Sequence, residues 1–448
     1  MVTAGVVVRR ANRVTRRHAL AAGGAGVVLA ACGGANESAP VPDVKGVAID
    51  VWAWNPETHP ETIAFKKVMD AFGAGPAGVK VTFTAPAEGG VKAFEKLVSS
   101  VAGGSPPDAS IGQHFYLSDL FRKDAILDVD AGLKANADWK KARSGLTPEL
   151  LGGGFTWKGK VFAVPAYTSH FAMYYQPEFL KKASLAAPPP KGWNWDQFVD
   201  YQKKAAQPPT VTGYDDQWSY SRTGMLVLNN GHRFMNADGS KFSYNSPEAV
   251  EAVEFQLSLI KQGLMRAHDG DKGGYSEKMA QGQVVFQFGV AARVKTYRKD
   301  NVQFGTCYYP TGKGNKDKKS VTHGEGYGVA AFKTKDAKRQ QAAWLAATWV
   351  SRPEMGLTFA REAGVPPAYT YVLEDKSFVE DFKKDAESWP FYDLITGFVP
   401  MPNFPGFGDV RTMGDKMIPD IWAGKANAKQ VLDEYTRLAQ QKLDEVLK

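Results

Sequence analysis

The sequence predicts an α/β protein assembled from two or three packed units, and three observations carry that prediction. Strands alternate with helices over residues 47–112, the pattern of a mainly parallel sheet covered by helices. The 448 residues exceed one ordinary domain. The composition, 44% hydrophobic and 23% charged with only 2 Cys, excludes a mainly disordered, collagen-like or disulfide-stapled chain.

The elements follow in order. Val47–Trp54 is an apolar run of strand length that stops at Asn55-Pro56. Apolar residues at 63, 64, 65, 68, 69 and 72 predict a helix over Pro60–Phe72, ending at Gly73. Val79–Thr84 reads as a strand, Val91–Val101 as a helix, and Ala109–Gly112 as a short strand after Pro107-Asp108. Beyond about residue 170 the pattern changes. Strand-like pieces fill Gly152–Tyr175, and helices are expected over Trp195–Ala206 and Ser246–Gly263. The latter carries Ser246 as N-cap, Pro247 at the first helical position and Gly263 just past the end. Phe304–Tyr309 and Gly326–Phe332 read as strands around the basic loop Lys313–Lys319. Helices dominate from Asp336, and the last, Lys429–Leu447, has an apolar stripe at 431, 432, 435, 438, 439, 443 and 446.

The basicity of the chain belongs to its start. Five arginines and no acidic residue lie before position 32, so only +3 of the formal +8 belongs to the rest. A body so weakly charged gives no reason to expect a nucleic-acid partner. Residues 1–31 read as an export signal, with an Arg-rich start and the small apolar stretch Ala19–Ala31. Thr15-Arg16-Arg17-His18-Ala19-Leu20 resembles a twin-arginine signal. Leu29-Ala30-Ala31-Cys32-Gly33-Gly34 resembles a bacterial lipobox, in which Cys32 would become the lipidated mature N-terminus. Cys307 then has no disulfide partner and reads as a packing residue. Residues 32–46 form the expected lipidated tether, small, polar and Pro-containing.

Motifs of catalysis and cofactor binding mostly fail on context. Gly73-Ala-Gly75-Pro-Ala-Gly78 matches G-x-G-x-x-G, but a helix precedes it and a strand follows, the reverse of a dinucleotide loop. Asp269-Gly-Asp271-Lys-Gly273-Gly274 starts like a calcium loop, yet its twelfth position is Ala280 where a bidentate Glu is required. The seven histidines are scattered, and no metal or cofactor is predicted. Glu57, Glu325 and Asp409 are the carboxylates to watch for a catalytic pair, which only three-dimensional spacing can reveal.

Several blocks, taken in order, resemble the bacterial extracellular solute-binding proteins of the maltose-binding type, which serve ABC importers. They are Val51–Asn55; Ser105-Pro-Pro-Asp108 through Asp128; Trp157–Pro165 followed by Met173-Tyr-Tyr175-Gln-Pro-Glu178; Pro188–Phe198 (PPPKGWNWDQF); Ala280–Phe286; Ala363–Ala368; and Pro400–Pro405 followed by Ile418–Gly424. Together they span about residues 47–447. The aromatic that follows the Ala280–Phe286 block in maltose-type binders is replaced here by Val290-Ala291-Ala292-Arg293, which argues against a maltodextrin.

The resemblance implies two α/β lobes joined by chain crossings, of the periplasmic-binding-protein type, with the solute held in the cleft by hinge closure. It implies one lobe from residues 47–170 and 305–350 and the other from 171–304 and 351–448. It implies a monomeric, lipid-anchored binding protein, not an enzyme, that captures a sugar or oligosaccharide outside the cytoplasm and delivers it to a membrane permease. A glycerophosphodiester, amino sugar or polyamine is the alternative solute, and an extracytoplasmic carbohydrate-active enzyme the alternative class. Ligands of open α/β sheets sit beyond the strand ends. The candidate contacts are therefore Trp54, Asn55 and Glu57 after the first strand, and Gln113 and His114 after the third. Tyr167 and His170 lie at the first crossing, Trp218 on a polar loop and Arg293 after the strand around Val284. Glu325 and Tyr327 lie in a Gly-rich segment, and Phe407 and Asp409 follow the Pro400 block. Aromatic plates with such polar groups suit a pyranose, which has apolar faces and a rim of hydroxyls.

Overall fold

The computed structural model describes residues 43–130, 137–188, 192–215, 220–236, 238–266 and 275–448. The expected leader, Cys32, Trp218 and the calcium-like loop lie outside the described residues.

Two sheets organise the described chain. The first has the order β2-β1-β3-β12-β6, from β1 (Ala48–Trp52), β2 (Lys80–Thr84), β3 (Ala109–Gln113), β6 (Val164–Thr168) and β12 (Gly326–Ala331). β1 runs parallel to β2 and β3, while β12 inserts antiparallel between β3 and β6. The second sheet has the order β10-β7-β9-β8, from β7 (Phe171–Tyr175), β8 (Thr212–Asp215), β9 (Val284–Val290) and β10 (Gly305–Cys307). Two small pairs complete the strands: β4 (Thr156–Trp157) with β5 (Lys160–Val161), and β11 (Thr322–Gly324) parallel to β13 (Phe398–Pro400).

Local sequence explains the helices that frame the first sheet. α1 (Pro60–Gly73) opens with Pro60 at its first position and buries Ala64, Phe65, Val68, Met69 and Phe72. It stops where Gly78, at φ +63°, turns the chain into β2, so the G-x-G-x-x-G run is a helix stop and turn. α2 is Val91–Ala102, and α3 (His114–Arg122) follows β3 directly.

The second sheet is framed in the same way. Asn194 and Gln197 form a reciprocal capping box ahead of the helix Trp195–Ala205. The Ser246 side chain accepts from the Ala249 amide (3.1 Å) at the start of Pro247–Lys261. Ser246→Ala is therefore expected to cost about 1 kcal/mol, measured by denaturant unfolding.

Each sheet has its own core, one centred on Val51, Phe65, Ile111 and Val164 and the other on Phe198, Phe286, Leu432 and Leu443. The chain passes between them at Ser169-His170, between β6 and β7, and at Glu325, between β11 and β12. Two expected boundaries differ from this arrangement. Residues 305–307 pair with β7 in the second sheet, so the return to the first sheet comes near 325. The helix Pro353–Ala363 buries Met355, Phe359 and Ala363 in the first core, so residues 351–369 do not follow the second sheet. A buried stripe on a helix tells that it packs on a sheet, and cannot tell on which. Cys307 is buried in the second core without a disulfide, and burial pushes its thiol pKa up.

Candidate functional site

Several strand and helix ends converge where the chain crosses between the sheets. Gln113 closes β3, and its Nε2 donates to the Tyr327 hydroxyl at 3.0 Å. Tyr327, near the start of β12, stacks on Tyr167 of β6 with ring centroids 4.7 Å apart. Both rings are buried, and burial first, then nearby carboxylates, raises both phenol pKa values, so each keeps its proton. Glu61, in the first turn of α1, is one of those carboxylates. It accepts from Asn55 Nδ2 at 2.8 Å and lies 3.0 Å from His59 Nδ1.

The opposite wall comes from the second core. The helix Phe407–Met417 carries Arg411, whose Nη1 lies 3.5 Å from Glu325 Oε1. The Glu325 side chain keeps 10% of its surface exposed and that of Arg411 27%. Burial opposes the charge of Arg411, yet Glu325, Asp415 and the hydroxyls of Tyr116 and Tyr327 hold its pKa above the ordinary range. Its guanidinium lies 5.8 Å from the Phe115 ring centroid. Tyr116, the third residue of α3, meets the same helix, since a Cβ on Gly408 would fall 2.9 Å from its ring. Asp119 Oδ1 accepts from the Gly406 amide at 2.5 Å. Burial and then Asp409 push the Asp119 pKa up to about 6, against that hydrogen bond.

Of the expected contacts, Asn55, Gln113, Tyr167, Glu325 and Tyr327 belong to this group. Glu57 is exposed on the loop entering α1, and Asp409 is exposed in the first turn of Phe407–Met417. Trp54 is only 3% exposed, lying against Gly112 and 5.8 Å from the Tyr116 ring centroid. Phe407 is buried against Phe115 and Phe404.

Two histidines are built into the frame. His114 Nε2 lies 2.8 Å from the Met401 carbonyl, and its Nδ1 3.1 Å from the Gly326 amide. That pair of contacts fits the neutral tautomer protonated at Nε2, and burial lowers its pKa to about 4. His170 stacks on Phe398 and hydrogen-bonds the Phe391 carbonyl (2.7 Å), its pKa lowered to about 3 by burial. Arg293 begins the helix Arg293–Lys299 and lies over Tyr297, 5.6 Å from the centroid.

Arg411, Tyr116, Glu61 and Asp119 were not among the expected contacts. Arg411 sits one helical turn after Phe407, and Tyr116 two residues after His114, so both were within reach of the same reasoning. A groove of about 750 Å³ is lined by Trp157, Arg233, Phe234, Pro400 and Asn403 among others; it shares no lining residue with the converging group, though its Pro400 pairs with Gly324 beside Glu325.

This arrangement, two sheets with polar side chains meeting at the crossings, is accompanied by a family match over residues 67–387 to the bacterial extracellular solute-binding proteins. The chain belongs to that family. A binding protein of Brucella abortus (strain 2308) is 22% identical to this solute-binding protein over 416 residues, covering 91% of this chain and 94% of the relative. The sn-glycerol-3-phosphate-binding periplasmic protein UgpB of Salmonella typhimurium is 23% identical, over 61% of this chain and 65% of its own length.

Solved structures share the fold of this solute-binding protein. The cyclic α-maltosyl-1,6-maltose binding protein of Arthrobacter globiformis superposes with a TM-score of 0.76 at 20% identity, covering 89% of this chain and all of that one. The GacH receptor of Streptomyces glaucescens, solved unliganded and with acarbose, gives 0.73 at 14% identity, with 89% and 99% covered.

Proposed function

We propose that this protein captures a sugar or oligosaccharide between its two lobes and delivers it to the membrane permease of an ABC importer. One observation carries the reading. Polar groups from both cores, Gln113 and Tyr327 on one side and Arg411 on the other, meet at the crossings beside Glu325, a position in which domain closure would enclose a solute. Hydroxyl, amide, carboxylate and guanidinium groups beside the rings of Tyr116 and Tyr327 supply what a pyranose rim and face require. The saccharides named for the Arthrobacter and Streptomyces proteins support this class. The second reading, another polar solute such as a glycerophosphodiester, amino sugar or polyamine, is favoured by the likeness to UgpB. We also place the protein outside the cytoplasm as a monomer, lipid-anchored through Cys32 after twin-arginine export, acting without a cofactor and without turnover.

A thermal-shift panel of the purified protein tests the proposal, using maltotriose, acarbose, cyclic α-maltosyl-1,6-maltose and glycerol 3-phosphate. A bound solute at ~100 times its dissociation constant adds roughly 2.7 kcal/mol to stability. A shift with a saccharide is expected. A shift with glycerol 3-phosphate alone would select the second reading, and turnover of the shifting compound would make the protein an enzyme.

A further inference from the structure

The family relatives named above include binders of neutral saccharides and of a phosphorylated polyol, so some feature of the site must decide between uncharged and anionic solutes. We propose that Glu325 is the residue that makes this site reject anions, by occupying the positive charge of Arg411. The inference rests on the sugar-binding reading and adds to it a determinant of solute charge.

The geometry supports this in three steps. Arg411 is a cation among the converging described groups, and its guanidinium approaches Glu325 at 3.5 Å, too long for a tight bidentate fork. It donates no hydrogen bond to any described residue, so its N–H groups stay available to solute oxygens while its charge is balanced. Hydroxyl oxygens accept such donors well, but a phosphate must also displace or overcome the carboxylate beside them.

The surrounding charges reinforce the effect. Asp409 and Asp119 lie close enough to act on the Tyr116 hydroxyl together with Glu325, and Glu61 and Glu325 both act on that of Tyr327. His59, whose pKa its partner Glu61 raises, is a second basic group near the cluster among the described residues. An anion entering here would meet these carboxylates, and like-charge contacts of this kind are how binding sites exclude wrong partners. Removing the Glu325 charge leaves Asp415 as the other described carboxylate acting on Arg411, and frees more of the guanidinium's positive charge for a phosphate beside the Tyr116 and Tyr327 hydroxyls.

The test is a gain of binding. Isothermal titration of the wild type with glycerol 3-phosphate is expected to give no saturable signal up to millimolar concentration. Glu325→Gln is expected to bind it at least about tenfold more tightly, with affinity that falls as salt rises. Adding Arg411→Met to Glu325→Gln should abolish the gain. Glu325→Ala removes the same charge and serves if the Gln variant does not fold. Wild type binding glycerol 3-phosphate as tightly as Glu325→Gln would overturn the proposal. So would folded Glu325 variants that gain no anion binding. The sugar-binding reading is judged separately, by whether the wild type takes any saccharide of the panel.

Discussion

Arg411→Met is expected to weaken binding of the cognate saccharide about 100-fold, the largest single effect on function. The substitution keeps much of the aliphatic bulk against Phe115 and removes the guanidinium N–H donors. It also takes the cation from beside Glu325, whose side chain is only 10% exposed. A hydrogen bond from a charged donor to a solute is worth about 1.5–3 kcal/mol, and 100-fold corresponds to roughly 2.8 kcal/mol. Arg411→Lys should fall between, since it keeps the charge and loses the planar fork. Calorimetric affinities that stay within about threefold of the wild type would remove Arg411 from the site.

Acidification from pH 7 to pH 5 is expected to remove about 4–5 kcal/mol of folding stability. Among the described residues three histidines are fully buried: His114, lowered to about 4, and His170 and His323, each lowered to about 3, in every case by burial first; His323 lies in β11 with its Nδ1 2.9 Å from the Val399 carbonyl. A histidine whose folded pKa lies below its unfolded value of 6.5 binds its proton in the unfolded chain first. Stability is therefore full above about pH 6.5 and declines as the pH falls toward the folded value. At pH 5 each costs about 2 kcal/mol, or about 6 for the three.

Asp119 acts in the opposite sense. Its pKa of about 6 in the folded state exceeds the unfolded value of 3.8, so protonation at pH 5 returns about 1.4 kcal/mol. The net loss approaches the whole stability of many domains. Denaturant unfolding at the two pH values measures it, and a loss below about 1 kcal/mol would mean that these histidines are not neutral and buried.

The strand–helix alternation, the caps and the first crossing near residue 170 were legible in the sequence because each has a local cause. Pro60 and Ser246 mark helix starts by chemistry, and Asn55-Pro56 ends the first strand by geometry. The partners of elements were not legible. Gly305–Cys307 and Pro353–Ala363 carry apolar residues suited to either core, and only long-range packing assigns them. The site shows the same division. Gln113 was named from its place after the third strand, and Glu325 and Tyr327 from their Gly-rich segment. Arg411 depends on which face of Phe407–Met417 meets α3, and Gly408 against Tyr116 decides that. His114 and His170 occupy the expected positions, and their side chains turn inward to carbonyl groups that sequence spacing does not reveal.

Hydrogen–deuterium exchange with and without the saccharide that shifts the protein most tests the central claim most directly. Protection is expected in four segments together: Asn55–Glu61, Gln113–Asp119, Glu325–Tyr327 and Phe407–Arg411. Protection confined to the Trp157 and Arg233–Asn236 segments, which line the 750 Å³ groove, would contradict a solute held by the converging group.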